Sequence, residues 1–163
     1  MRPISRAALL VLLPTALVAC GGGKADTGEA ASTTTTSSGA APAAGGLSDF
    51  ELKHGIGPVT EEVTLGPLDA ALAKRGQALF ESKCSACHKA DERYVGPPLG
   101  GIVERLSPAF VMNMVLNPEG MYTKHPDVRK LLAEYMTQMP NQQLTRDDAR
   151  AVVEYLRTLP APE

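Results

Sequence analysis

Apolar residues repeat at three- and four-residue intervals in four stretches of the chain, all beyond residue 68. That spacing marks one face of an α-helix, whereas a half-buried strand would alternate. The first stretch follows Asp69, a good N-cap, and runs through Leu72, Gly76, Leu79 and Phe80 to Cys84. Glycine is costly inside a helix, so Gly76 predicts close approach by a second helix. The second stretch starts at Ser107-Pro108 and carries Phe110, Val111, Met114 and Val115. The third follows Pro126 with Val128, Leu131, Leu132 and Tyr135. The fourth opens on Thr145-Arg146-Asp147-Asp148, which resembles a capping box, carries Val152, Val153, Tyr155 and Leu156, and stops at Pro160. Glycine- and proline-rich loops separate them, at Gly96 to Gly101, at Asn117-Pro118-Glu119-Gly120 and at Met139-Pro140-Asn141. The pattern predicts an all-α unit of short helices over residues 68–163.

The chain before this unit reads differently. Arg2 and Arg6 precede an apolar run from Ala7 to Val18 that is too short for a convincing membrane span, so residues 1–19 read as an export signal. The run ends Leu17-Val18-Ala19-Cys20, which resembles the lipobox of bacterial lipoproteins and makes Cys20 the expected lipid anchor. From Cys20 to residue 46 the chain is mostly Gly, Ala, Ser, Thr and Pro, a composition that buries too little apolar surface to fold. It reads as a tether spanning roughly 25–30 Å end to end. Residues 47–67 form an extension broken by Gly55, Gly57, Pro58, Gly66 and Pro67, yet carrying Phe50, Ile56, Val59 and Val63. It is expected to lie along the domain surface, with one short strand around Val59 to Leu65. His54, flanked by glycine, is expected to be a solvated loop residue.

Chemistry enters at Cys84-Ser85-Ala86-Cys87-His88. C-x-x-C-H is the attachment sequence of a c-type haem. One helical turn presents both sulfurs, Cys84 and Cys87, to the porphyrin vinyl groups, and His88 then lies beneath the iron. A redox dithiol would sit near a βαβ pattern, which is absent. A structural zinc site would need four ligands, and there is no second cysteine pair. The count of three cysteines fits: two thioethers and one lipidated residue leave no thiol for a disulfide. One covalent haem c is the expected cofactor.

An iron held by His88 needs a sixth ligand or an open site. Met112 and Met114 sit in a helical stripe and read as core; Met121 follows a turn; Met136 falls at the end of the third helix. His125 precedes Pro126 at a helix start, a structural position. Met139 lies in a loop stiffened by Pro140, from which a thioether can reach the iron without straining a helix, and it is the favoured ligand. The formal net charge is −2, and loss of Arg2 and Arg6 with the signal makes the mature chain more acidic. Nucleic-acid binding is not indicated. Lys83, Lys89 and Arg93 flank the haem motif and read as a solvated face.

Over about residues 68–160 the chain resembles the class I c-type cytochromes. The resemblance rests on Cys84 to His88, then Gly96-Pro97-Pro98-Leu99, then Met139-Pro140, then a last helix ending Glu154-Tyr155-Leu156. It implies the class I fold, with Gly76 and Phe80 packed against Val152 and Tyr155. It also implies that the Pro97 carbonyl receives the Nδ1 proton of His88, fixing the ring. The family's tryptophan near a propionate has no counterpart, and the family has no extension like residues 47–66.

A His/Met iron has both axial sites filled, which suits single-electron transfer rather than catalysis. The expected function is therefore that of a membrane-tethered electron carrier, not an enzyme. It would be a monomer outside the cytoplasm, periplasmic or otherwise extracytoplasmic, anchored to a bacterial membrane by lipid. Its expected partners are a quinol-oxidising complex or cytochrome as donor and a terminal oxidase or reductase as acceptor. The alternatives are a haem-based gas sensor, which needs an open sixth site, and a fixed cytochrome subunit of a larger oxidoreductase. Loop sequences from Tyr94 to Gly101, Leu116 to Met121 and Met136 to Thr145 are also similar to small cytochromes that accompany bacterial nitrous oxide reductases.

Overall fold

Each predicted helix starts where its capping residue stands. In a computed structural model of the protein, residues 46–162 are described, and these form seven α-helices with no strand among them. The expected export signal, Cys20 and the expected tether up to residue 45 lie outside the described residues. The helices are α1 (Asp49–His54), α2 (Ala70–Lys83), α3 (Ile102–Arg105), α4 (Pro108–Leu116), α5 (Pro118–Lys124), α6 (Pro126–Tyr135) and α7 (Arg146–Leu156). Asp69 Oδ1 accepts from the amides of Ala71 and Leu72, both at 2.9 Å, and opens α2. Ser107 caps α4 through the Phe110 amide, with Pro108 inside the first turn. Thr145 and Asp148 cap each other's backbone at the start of α7.

The most extensive helix contact joins α2 to α7. Gly76 permits it: a Cβ there would overlap the Ala151 carbonyl and crowd Tyr155 Cβ. The Phe80 and Tyr155 rings meet alongside at 5.3 Å between centroids. Val152, Val153 and Leu156 of α7 join Phe80, Val111, Met112 and Val115 in the main apolar cluster, which α4 shares with α7. A smaller cluster holds Phe110, Met121 and Val128.

The extension departs from expectation. There is no strand at Val59 to Leu65; the chain there is irregular, and the helix lies earlier, at α1. Ser48 and Glu51 form a capping box that starts it, and Gly55 at φ 77° ends it. His54 is buried rather than solvated, with Nδ1 3.0 Å from Ser107 Oγ and its ring stacked on Phe50. The chain that follows is held by Asn113, whose side chain is fully buried on α4. Asn113 donates to the carbonyls of His54 (3.0 Å) and Val59 (2.9 Å), and its Oδ1 accepts from the Val59 amide (3.0 Å). Asn117 Nδ2 donates to Ile56 O at 3.0 Å, and His125 Nε2 to Leu52 O at 3.1 Å. These polar side chains do for the extension what a β-ladder would have done: they satisfy its buried backbone groups.

Candidate haem site

The Cys84 to His88 run is one continued turn at the end of α2. The amide of Cys84 donates to Phe80 O (2.8 Å), and those of Cys87 and His88 to Cys84 O (3.0 and 2.9 Å). The two cysteines are not joined in a disulfide, and Cys84 is buried. Burial, with a smaller contribution from Cys87, pushes the Cys84 thiol up to about 11. Cys84 is therefore unsuited to be the accessible, low-pKa thiol from which a redox dithiol attacks. Among the described residues no group of three or more His, Cys, Asp or Glu could hold a bare metal ion.

The loop after the motif folds back on it. The amide of Gly96 donates to Cys87 O at 2.8 Å, that of Leu99 to Lys89 O at 2.9 Å and that of Gly100 to Ala90 O at 2.7 Å. The backbone of Gly96 lies against the imidazole; a Cβ there would fall 2.5 Å from His88 Cε1. His88 Nδ1 is 2.9 Å from the Pro97 carbonyl. A carbonyl can only accept, so Nδ1 carries the proton and Nε2 keeps its lone pair. Burial holds the imidazole below its ordinary pKa against the opposing pull of the Pro97 hydrogen bond. The ring is therefore neutral at neutral pH, the form that binds metals.

His88 lines a cavity walled by nearly every helix of the domain. Phe80 comes from α2, Ile102 from α3, Val111 and Val115 from α4, Leu132 from α6, and Val152 and Leu156 from α7. Cys84, Cys87, Pro97 and Met139 line the same cavity. The other candidate ligands are placed elsewhere, with one exception. Met112 is packed in the core, Met136 is 88% exposed, and Met121 accepts the Ile56 amide on its sulfur at 3.0 Å. Both His125 nitrogens are engaged, one with Leu52 O and one with the Asp127 amide. The exception is Met114, which lines the cavity from within α4. Two thiols in the wall, one neutral imidazole of fixed tautomer, one loop thioether and apolar surroundings fit a covalently held haem.

Tyr122 of α5 and the loop residues Gln138 and Gln142 also line the cavity and were not singled out by the sequence; Tyr135, read there only as part of the α6 stripe, lines it too. Tyr122 was missed because Asn117 to Gly120 reads as a turn. The available signal was Asn117-Pro118, an N-cap followed by proline, which starts α5 and aims Tyr122 inward.

The cytochrome c family model matches residues 73–160, which spans the whole of this site. The chain belongs to the cytochrome c family. Its fold is the all-α class I fold and its cofactor is covalently attached haem c; the cytochromes c it matches are electron carriers rather than enzymes. The solved structure of a cytochrome c from Rhodothermus marinus is 46% identical to it, with a TM-score of 0.62, over 66% of this chain and 92% of that one. An engineered form of that cytochrome, bound to a carbene intermediate, is 45% identical with a TM-score of 0.60. Cytochrome c-551 of Stutzerimonas stutzeri is 28% identical over 99 residues, 56% of this chain and 84% of that protein. A cytochrome c2 of Rhodopseudomonas palustris is 46% identical over 43 residues, which is 30% of its length. Among the described residues no helix is long and apolar enough to cross a membrane.

Proposed function

We propose that this cytochrome carries single electrons between respiratory partners outside the cytoplasm, on a lipid-anchored tether. Cys84 and Cys87 form the thioethers, His88 is the proximal ligand, and Met139 is the distal one. Pro97 holds His88 in its ligating tautomer. The observation that carries this reading is the shared cavity: a neutral His88 with Nε2 free and a loop methionine line one apolar space. Bound there, the haem supplies a one-electron iron couple whose potential a thioether ligand raises. The protein's own residues keep the cavity dry, orient both ligands and leave no coordination site for substrate.

Residues 1–19 serve as signal, Cys20 as the acylated anchor and the chain to residue 46 as the tether. That tether lets the domain, with the extension at residues 47–67 and the cytochrome unit at 68–163, move as a monomer between donor and acceptor. The donor is a quinol-oxidising complex or another cytochrome, and the acceptor a terminal oxidase or reductase. Nitrous oxide reductase is the acceptor that the loop sequences favour.

Optical titration of the purified holoprotein tests the ligation. The oxidised protein should show the weak Fe–S(Met) band in the red, and Met139→Ala should abolish it and lower the potential. A wild-type protein that is high-spin in both oxidation states and binds carbon monoxide at once would refute the reading. Mass spectrometry of the membrane-extracted protein should find diacylglycerol on Cys20; an unmodified cysteine in a freely released protein would remove the anchor. Cells lacking the protein should reduce nitrous oxide more slowly, and an unchanged rate would remove that acceptor.

A further inference from the structure

Arg93 stands five residues beyond His88, in the loop that carries the Cys-X-X-Cys-His run back toward Pro97. Its side chain does not point at solvent as a free charge. Nη1 donates to Glu134 Oε1 at 2.5 Å, Nη2 donates to the Glu134 carbonyl at 3.0 Å, and the guanidinium lies 4.0 Å over the Tyr135 ring. Glu134 and Tyr135 are the last two residues of α6, so the carbonyl that Arg93 takes is one the helix itself leaves unpaired. The cation also sits at the negative end of the helix dipole. The next residue, Met136, is forced into the left-handed region at φ 52° to stop the helix, a conformation that a residue with a Cβ adopts at a cost. Three residues later comes Met139.

One side chain thus ties the His88 side of the cavity to the segment that delivers the methionine. The loop holding Arg93 is itself braced: Lys89 Nζ donates to Ser85 O at 3.1 Å and lies 5.0 Å over the Tyr94 ring, and the Tyr94 amide donates to Gly96 O at 3.1 Å. We propose that Arg93 is a positioning residue for the sixth ligand. By capping α6 it fixes where the Met136 to Met139 segment begins and so keeps the thioether on the iron. The inference rests on the His88/Met139 ligation proposed above. It assigns Arg93 a task inside the molecule, not that of a docking charge.

Imidazole, a neutral ligand that competes with the thioether, reads the lability of that bond directly. Arg93→Gln holoprotein should bind imidazole about tenfold more tightly than wild type, the equivalent of about 1.4 kcal/mol. Its amide exchange should accelerate at residues 136–140 and stay unchanged in α2 and α7. Arg93→Lys should not rescue, because carboxylate, carbonyl and ring are met by a planar fork that an ammonium cannot supply. Glu134→Gln and Tyr135→Leu should each give part of the effect, and they carry the test if Arg93→Gln fails to fold. Imidazole affinities within twofold of wild type in these variants would overturn the proposal, whatever happens to electron transfer with a partner. Full rescue by Arg93→Lys would overturn it as well. A wild-type protein without the Fe–S(Met) band would instead remove the ligation reading on which the inference stands.

Discussion

At Gly76 the two longest helices of the domain come close enough for backbone to meet backbone. An added methyl would gain roughly 1 kcal/mol of helix propensity. It would also overlap the Ala151 carbonyl, which cannot rotate away as a side chain could. Overpacking of this kind costs about 1–3 kcal/mol where neighbours can yield, and here they are a helix backbone. Gly76→Ala should therefore lower stability by about 3 kcal/mol in urea unfolding of the holoprotein; a variant as stable as wild type would show that α2 and α7 can part freely. Glu154 holds the same pair by polar means. It is buried on α7, accepts from the Asp69 amide at 2.8 Å, and pairs with Arg150 and Arg157. Burial alone would raise its carboxyl pKa, but the Asp69 amide and the two guanidiniums outweigh burial and hold it below the ordinary value of 4.5. The unfolded chain then binds the extra proton on acidification. This contribution is complete above about pH 4.5 and is lost as pH falls through the lower folded value. Glu154→Gln should cost about 2 kcal/mol at pH 7 and flatten the acid limb of the stability curve. An acid limb identical to wild type would place the sensitivity elsewhere, with Glu51 or Asp148, whose carboxyls their caps also hold low.

Among the elements, the four helices read from apolar spacing coincide with α2, α4, α6 and α7. In each, a cap and an apolar face agreed, so local and tertiary preferences pointed one way. The misses have equally physical causes. Ser48-x-x-Glu51 is a capping box in plain sight, but the glycines and proline after it suggested loop, and α1 is only six residues long. The strand expected at Val59 to Leu65 failed because its backbone partner is a side chain. Asn113 sits at an unremarkable polar position of an otherwise apolar helix, and nothing local says that its amide replaces a neighbouring strand. The Cys-X-X-Cys-His run was legible because its chemistry is contained in five residues. The closure of the cavity by Tyr122 and Tyr135 depends on contacts between distant segments, and spacing along the chain does not reveal it. Asn113→Leu tests the grip of α4 on the extension. It keeps the volume but strands the Val59 amide and the carbonyls of His54 and Val59 in a dry site, at about 1–3 kcal/mol for each group that water cannot reach. We expect a total loss of about 3 kcal/mol. Limited proteolysis should cut first between residues 55 and 66, with α2 and α7 still protected. Unchanged resistance there would mean that His125 and Asn117 hold the extension without Asn113.

For the molecule as a whole, the haem cavity and the core are one object. Phe110 belongs to the smaller apolar cluster and Phe80, Val111, Val115, Val152 and Leu156 to the larger, yet all six line the cavity. The protein interior is therefore built around the cofactor and not beside it. A domain of this size buries a marginal apolar area by itself. With these side chains turned toward an unfilled space, each would lose packing contacts that a flat apolar ring would supply. Collapse into that space would require the helices that wall it to move inward. The extension resists such a movement, because Asn113, Asn117 and His125 fasten α4 and the start of α6 to residues 52–59 on the outer side. Filling the cavity and fastening its outer wall should thus act cooperatively. Replacing both thiols, Cys84→Ala with Cys87→Ala, should yield a haem-free chain that keeps some helical far-ultraviolet signal but loses near-ultraviolet dichroism and a cooperative urea transition. The cavity-filling role also predicts an order of loss. Asn113→Leu should shift the midpoint of the holoprotein yet change the haem-free chain little, since the wall it fastens is not formed there. A haem-free double variant with dispersed amide resonances and a sharp transition would show that the helices pack without the ring, and that the extension alone suffices to hold α4 in place.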